Sequence, residues 1–598
     1  MRALGLLCVV ILAAAFSVVS AHDGGTHSPP PHGEDSYWPG PGISGPWYNP
    51  QRSGEGFVLG YLPNGTLLVN WFTFPATGEP GTQDWIVGEG GYVVGNKVRF
   101  DRMYRAFGGA WGDAFDPDAI SRVEWGTLEL EFDDCNSGTF RYAGPESHGS
   151  GEYPMTRLAA IDQLDCAGNR AITATGGRAL EGLRNYSGAW YEPSRSGEGW
   201  YLQELSGDRL LVNWFTYDPA GNRAYVLGLG TRKGDGFEIA DMYVAQGARF
   251  GDAFDPDDVV RSPWGELNIT FTDCRHAQFE FSSTVAGYGS GSFQPVRLTT
   301  LASSECIDGT PQAMTGGTWT QHASMPASAQ SELDVTTANG QLYAMGGYGD
   351  PRGFKRYDPA TNQWATLSQL PAGRDHLSAF SIDGGVFYTG GSANGGGETG
   401  SSGYRYDVLD GTWEARPELP FNYGSRAAVL NGRVFIGTSS GDLWEYEPRQ
   451  RTRRLIRRPV DSSQRDHAQI QAFLGEIWVI GGRSPETNRV AIYDPVSETW
   501  RAGPLTNNFR GGFGAAVVGH QIVIGGGEVI TGTRRLEPTV EVYAAGSSGW
   551  AIASNLPVPV HGTAAATLND RVYFVSGSTA PGSACCATGQ LFSIDFSQ

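Results

Sequence analysis

The second half of this 598-residue chain is one pattern written six times, and such a pattern leaves few folds open. Its clearest copy reads Leu370-Pro371, then Arg374-Asp375-His376, then an apolar run ending Val386-Phe387-Tyr388-Thr389-Gly390-Gly391. Tyr406-Asp407 and Trp413 follow after a variable segment. Small pairs recur at Gly346-Gly347, Gly481-Gly482, Gly526-Gly527 and Ser576-Gly577, with a degraded one at Gly437-Thr438. Tyr-Asp-Pro recurs at Tyr357-Asp358-Pro359 and Tyr493-Asp494-Pro495, and the closing Trp at Trp364, Trp500 and Trp550. A period of roughly 45–50 residues with four short strands per unit marks a β-propeller blade. Gly lets neighbouring backbones approach, and Trp fills the wedge between blades. The last copy ends at Asp595-Phe596 without a closing Trp, while Thr318-Trp319-Thr320 stands ahead of the first. That early strand is expected to complete the sixth blade and close the ring.

The double Gly after an apolar strand, the Tyr-Asp-Pro and the spaced Trp resemble the kelch repeat. The resemblance covers close to half of the chain and implies a six-bladed propeller over 311–598. Kelch propellers serve both as binding scaffolds and as enzymes, so it implies no single function.

The first half is duplicated. Ser44-Gly45-Pro46-Trp47-Tyr48-Asn49-Pro50-Gln51-Arg52-Ser53-Gly54-Glu55-Gly56 returns as Ser187-Gly188-Ala189-Trp190-Tyr191-Glu192-Pro193-Ser194-Arg195-Ser196-Gly197-Glu198-Gly199. Leu67 to Thr73 returns as Leu210 to Thr216, and Gly112-Asp113-Ala114-Phe115-Asp116-Pro117-Asp118 as Gly251-Asp252-Ala253-Phe254-Asp255-Pro256-Asp257. The opening resembles repeats of uncharacterised secreted bacterial proteins and implies no function. Strands such as Leu128-Glu129-Leu130-Glu131-Phe132 alternate apolar and polar, and no stretch reads as a long helix. The expectation is all-β: two small antiparallel barrels or sandwiches at 45–170 and 185–310, joined by a linker at 171–184, then the propeller.

Arg2, the apolar run Leu4 to Val19 and the small residues Val19-Ser20-Ala21 read as a secretory signal over 1–21. The Pro, Gly and His-rich stretch 22–44 reads as a linker. No later segment is apolar for long enough to span a bilayer. The chain is therefore expected to be secreted or periplasmic. Its net charge of −20 argues against nucleic acid and against anionic membranes as partners. Six cysteines remain after removal of the signal, an even number in an oxidising compartment. Cys135 with Cys166 and Cys274 with Cys306 occupy matching places in the duplication and are expected to pair. The adjacent Cys585 and Cys586 are either a vicinal disulfide or two free thiols.

Blades two and four carry the same triplet, Arg374-Asp375-His376 and Arg465-Asp466-His467, at the same phase. The matching places elsewhere hold Glu332, Arg426, Arg510 and His561. In kelch folds this loop opens toward the mouth of the central channel, so these ten residues form the candidate ligand ring. Arg forks there suit an acidic ligand; the other reading is pairing between blades. Arg449, Arg451, Arg453, Arg454, Arg457 and Arg458 crowd into blade three, as a polyanion site or as a solvated outer strand. Arg-Ser-Gly-Glu in each barrel is a site or a salt-bridged turn. Asp116-Pro117 and Asp255-Pro256 are calcium ligands or helix caps.

Signatures for Gly-x-Ser-x-Gly hydrolases, His-Glu-x-x-His proteases and phosphate loops are absent from the sequence. The kelch resemblance brings copper-radical oxidases, whose two Tyr, two His and Cys-Tyr crosslink cannot be placed here. It also brings secreted sialic-acid mutarotases, whose channel-mouth Arg, His and Glu the ring could mimic. The reading is a binding protein for a protein or glycan ligand, with an epimerase as the alternative. No metal and no cofactor are expected.

Overall fold

The computed structural model describes residues 37–596, apart from 165–183, 307–312, 394–402, 420–425, 457–464 and a scatter of one- or two-residue gaps. The expected signal 1–21, most of the linker 22–44 and nearly all of the linker 171–184 lie outside the described residues. Among the described residues no helix is long and apolar enough to cross a membrane.

Each duplicated half is a barrel. In the first, eight strands run from Gly45–Tyr48 to Ser150–Arg157, and the last pairs with the first to close it, with Trp47 opposite Arg157. The alternation seen in sequence sets which side faces in. Leu128, Leu130 and Phe132 are buried, while Glu129 and Glu131 point out to Lys97, Arg99 and Arg141 on neighbouring strands. The second barrel repeats the order, but its last strand is broken at Gln294-Pro295 into Ser290–Phe293 and Val296–Arg297. Proline there removes a ladder donor. The shorter piece still reaches the first strand, Arg297 opposite Trp190. The packed body begins ahead of Gly45, because Ile43 is fully buried and Tyr37 packs on the same core.

The barrels trade aromatic side chains. Phe250 of the second lies in the core of the first, and Trp111 of the first lies in the core of the second. Trp111 donates to the Tyr288 carbonyl at 2.8 Å. A third apolar cluster, including Val58, Trp85, Tyr201, Tyr217 and Tyr225, fills the seam between them. Cys274 and Cys306 are bonded. Cys135 is in a disulfide, and its expected partner Cys166 lies outside the described residues. Cys585 and Cys586 are free and exposed, their sulfurs 2.9 Å apart.

The rest is a six-bladed propeller, each blade a four-stranded antiparallel sheet. The strand Thr318–Gln321 pairs with Leu591–Asp595 and completes blade six, as its isolated position in the sequence predicts. The repeated Trp residues bind blades together. Trp413 of blade two packs on Phe354 of blade one with ring centroids 5.1 Å apart, and Trp550 of blade five donates to the Pro504 carbonyl at 3.0 Å.

The inner strands, such as Asp334–Ala338 and Asp375–Ile382, line a channel. Their C-terminal ends face the first barrel. There a cavity of about 460 Å³ is bounded by Thr337, Ser381, Gln471 and Thr567 of the propeller and by Tyr61 and Pro63 of the barrel. Their N-terminal ends, together with the loops that follow the double Gly, make the opposite face.

Candidate functional site on the propeller axis

Each inner strand is entered through one residue in the left-handed region: Glu332 (φ 55°), His376 (φ 55°), His467 (φ 59°), Gly512 (φ 66°) and Gly562 (φ 59°). The matching place in blade three lies outside the described residues. These residues are linked around the axis by backbone hydrogen bonds. The His376 N–H donates to the Glu332 carbonyl (2.9 Å), Glu332 to Gly562 (2.8 Å), Gly562 to Gly512 (2.7 Å) and Gly512 to His467 (3.2 Å). Glycine takes this conformation freely, whereas other residues need roughly 1–2 kcal/mol to hold it. Blades one, two and four meet that expense, and each directs a functional side chain to the axis.

Those side chains converge. The Nε2 atoms of His376 and His467 each lie 3.5 Å from Glu332 Oε2. His561 Nδ1 lies 3.5 Å from the other Glu332 oxygen and 3.4 Å from Glu528. The remaining nitrogens of the paired histidines face their own neighbours: His376 Nδ1 meets Asp375 at 2.6 Å and His467 Nδ1 meets Asp466 at 2.7 Å. Arg483 donates to Glu528, to Asp466 (3.2 Å) and to His467 Nε2 (2.8 Å). Tyr348 stands edge-on to His376.

Burial favours protonation of Glu332, but the charge and hydrogen bond of His467 and a hydrogen bond from His561 outweigh it and hold the carboxyl well below its usual range. Burial works against a charged His467, and Glu332 and Asp466 overcome it, so its pKa is raised. His561 is raised in the same way against burial, by Glu332 and Glu528.

Of the ten residues of the expected ring, Glu332, His376, His467 and His561 meet at the axis, with Asp375 and Asp466 behind two of the histidines. The arginines differ from the expectation. Arg374, Arg465 and Arg510 are buried, and their guanidinium groups turn back into the blades. Arg374 donates to the Gly373 carbonyl (3.3 Å), and Arg465 to that of Arg489 (2.9 Å). Arg510 donates to Gly526 (3.0 Å), Thr539 (2.8 Å) and Glu541. Arg426 crosses between blades to the Leu377 carbonyl (3.0 Å). An Arg before the turn can reach strand carbonyls that the double Gly leaves bare, so it fastens the blade.

Sequence reasoning missed Tyr348, Arg483 and Glu528. Each directly follows the double Gly of its blade, so the phase of the repeat carried the signal.

The other candidate motifs have structural partners. Arg52 pairs with Glu55, which also accepts from Thr73 at 2.6 Å; Arg195 pairs with Glu198, which likewise accepts from Thr216. Arg52 then reaches the Gly251 carbonyl and lies over Phe254 of the second barrel, and Arg195 reaches Gly112 and Phe115 of the first. Asp116 and Asp255 accept from the backbone two residues on and cap short 3-10 helices. In the arginine run, Arg454 pairs with Glu445 and Glu498, Arg451 with Glu414, and Arg453 lies over Trp444. Arg449, Arg457 and Arg458 lie outside the described residues.

No family model matches this chain. A kelch-like protein, terF, of Aspergillus terreus is 26% identical over 355 residues, 55% of this chain and 67% of that protein. Kelch-like protein 15 of Danio rerio is 26% identical over 201 residues, 29% of this chain and 33% of its own length. Beta-scruin of Limulus polyphemus is 25% identical over 205 residues, 29% of this chain and 22% of its own. The chain thus spans about two thirds of the first of these relatives and a third or less of the others. The solved structure titled "Structure of YjhT" aligns with a TM-score of 0.38 and 14% identity over 46% of this chain and 95% of its own. The second half is a six-bladed β-propeller, and the kelch-like relatives support reading its repeats as kelch repeats.

Proposed function

We propose that this chain is an exported binding protein whose propeller takes a protein partner on the face opposite the barrels. One observation carries the reading. On the segment joining blades four and five, Leu505 and Phe509 are 58% and 49% exposed, next to the loops that surround the axis. Two large apolar side chains held out on one short segment suit insertion into a partner's pocket. Kelch-like proteins are among the relatives of this chain. Export rests on the charged and apolar pattern of 1–21. An aliphatic and aromatic pair suits a protein better than a glycan. The epimerase alternative has less support, because three arginines of the expected ring, Arg374, Arg465 and Arg510, donate to backbone carbonyls instead of facing the axis.

Crosslinking with mass spectrometry, on the full chain in its native extracytoplasmic extract, tests this. Partner crosslinks should map to residues near 503–511 and disappear in the Leu505→Asp/Phe509→Asp variant. Crosslinks that survive the double change, or that map to the barrels, would overturn the proposed face.

A further inference from the structure

We infer that Glu332, His376 and His467 form a binding site for a divalent transition-metal ion on the propeller axis. The inference does not depend on partner binding. The three ligand atoms, Glu332 Oε2 and the two Nε2 atoms, lie within 4.8 Å of one another on buried residues. Both nitrogen-to-oxygen separations are 3.5 Å. A tetrahedral ion with bonds of about 2.0–2.2 Å sets its ligand atoms about 3.3–3.6 Å apart, so each histidine already stands at that spacing from the carboxylate.

Three further features point the same way. Asp375 hydrogen-bonds Nδ1 of His376 (2.6 Å) and Asp466 faces Nδ1 of His467 (2.7 Å), which leaves Nε2 of each turned to the common point. Carboxylates behind metal-bound histidines do this work widely, fixing tautomer and ring orientation. Glu332 Oε2 is buried, and the two Nε2 atoms stand 3.5 Å from it without full hydrogen-bond geometry. Once the two ligand imidazoles are neutral, as metal ligation requires, four carboxylates, Glu332, Asp375, Asp466 and Glu528, face only Arg483 and His561, and a bound cation corrects that balance. The three ligands stand in strained left-handed backbone where blades five and six use glycine, so the fold holds them there against local preference.

Two imidazoles and a carboxylate suit Zn²⁺ and its neighbours in the first transition row, and suit Mg²⁺ or Ca²⁺ poorly. Three protein ligands leave the fourth position of a tetrahedral ion to solvent. Arg483, 2.8 Å from His467 Nε2, gives up that contact to the ion and keeps Glu528 and Asp466.

Full-length protein stripped by chelator and titrated calorimetrically with Zn²⁺ should bind one ion tightly. Glu332→Gln and His467→Gln should each weaken binding more than about 100-fold, and Asp466→Asn about 10–100-fold. X-ray absorption of the zinc-loaded wild type should show nitrogen and oxygen neighbours with imidazole scattering. That measurement stands even where a variant folds badly. Absence of binding, binding indifferent to Glu332→Gln, or sulfur neighbours that place the ion at Cys585 and Cys586, would each overturn the site.

Discussion

The barrel pair and the propeller are both built by repetition, and both bury the charged motif that the repetition preserves. They differ in what the motif meets. In the barrels each Arg-Ser-Gly-Glu turn meets the Gly-Asp-Ala-Phe loop of its twin, Arg52 against Gly251 and Phe254, Arg195 against Gly112 and Phe115. Two copies related by a two-fold can satisfy each other completely. In the propeller the copies surround one axis, so equivalent positions share a single volume. Identical residues cannot all fit there. Blades five and six withdraw to glycine, while blades one, two and four supply Glu332, His376 and His467. Repetition around an axis therefore produces an asymmetric, charge-crowded centre, whereas repetition in a pair produces a closed interface.

The strongest way to break this comparison is to remove one partner of a barrel motif. Glu198 is buried, and it is held by Arg195 and Thr216. Glu198→Ala strands the guanidinium and should destabilise the barrel pair by about 3–5 kcal/mol. Calorimetry should show the barrel transition falling well below the propeller transition. A loss under about 1 kcal/mol would mean that the interface stands on its aromatic exchange alone.

A smaller effect sharpens the comparison through pH. Burial raises the Glu204 carboxyl from 4.5 to about 7, against the Tyr186 N–H and Arg232. The folded chain then holds this proton over a range where the unfolded chain has released it. The group accordingly costs no stability below about pH 4.5, and an increasing amount as pH rises to about 7, reaching about 3 kcal/mol. Glu204→Gln should gain on the wild type across that window and hold a constant lead above it. Parallel melting curves at all pH values would show that Glu204 is ionised normally in the fold.

The smallest effect belongs to the surface of blade three. Arg454 makes two ion pairs, yet its side chain is 50% exposed. Arg454→Ala should change propeller stability by less than about 1 kcal/mol, checked by denaturant titration. A larger loss would place the arginine run among the supports of the blade.

The sequence alone determined the fold class, the number of blades, the closing strand Thr318–Gln321, the duplication and the cysteine pair 274 and 306. Strand alternation, turn glycines and repeat period are local signals, and they survive without tertiary knowledge. It also placed Glu332, His376 and His467 at one phase of the repeat, with His561 one residue ahead of it. The sequence could not say which side chain of Arg-Asp-His turns inward. That depended on a left-handed residue at the entry to the inner strand, which aims the His at the axis and returns the Arg to the carbonyls of its own blade. Arg483, Glu528 and Tyr348 share a phase directly after the double Gly, but which partners they meet, such as Glu528 of blade five for Arg483 of blade four, was decided by the packing of the blades. The trade of Trp111 and Phe250 between barrels was equally hidden. A core aromatic reads the same in sequence whether it fills its own barrel or its neighbour's, and only the packing of the two bodies decides.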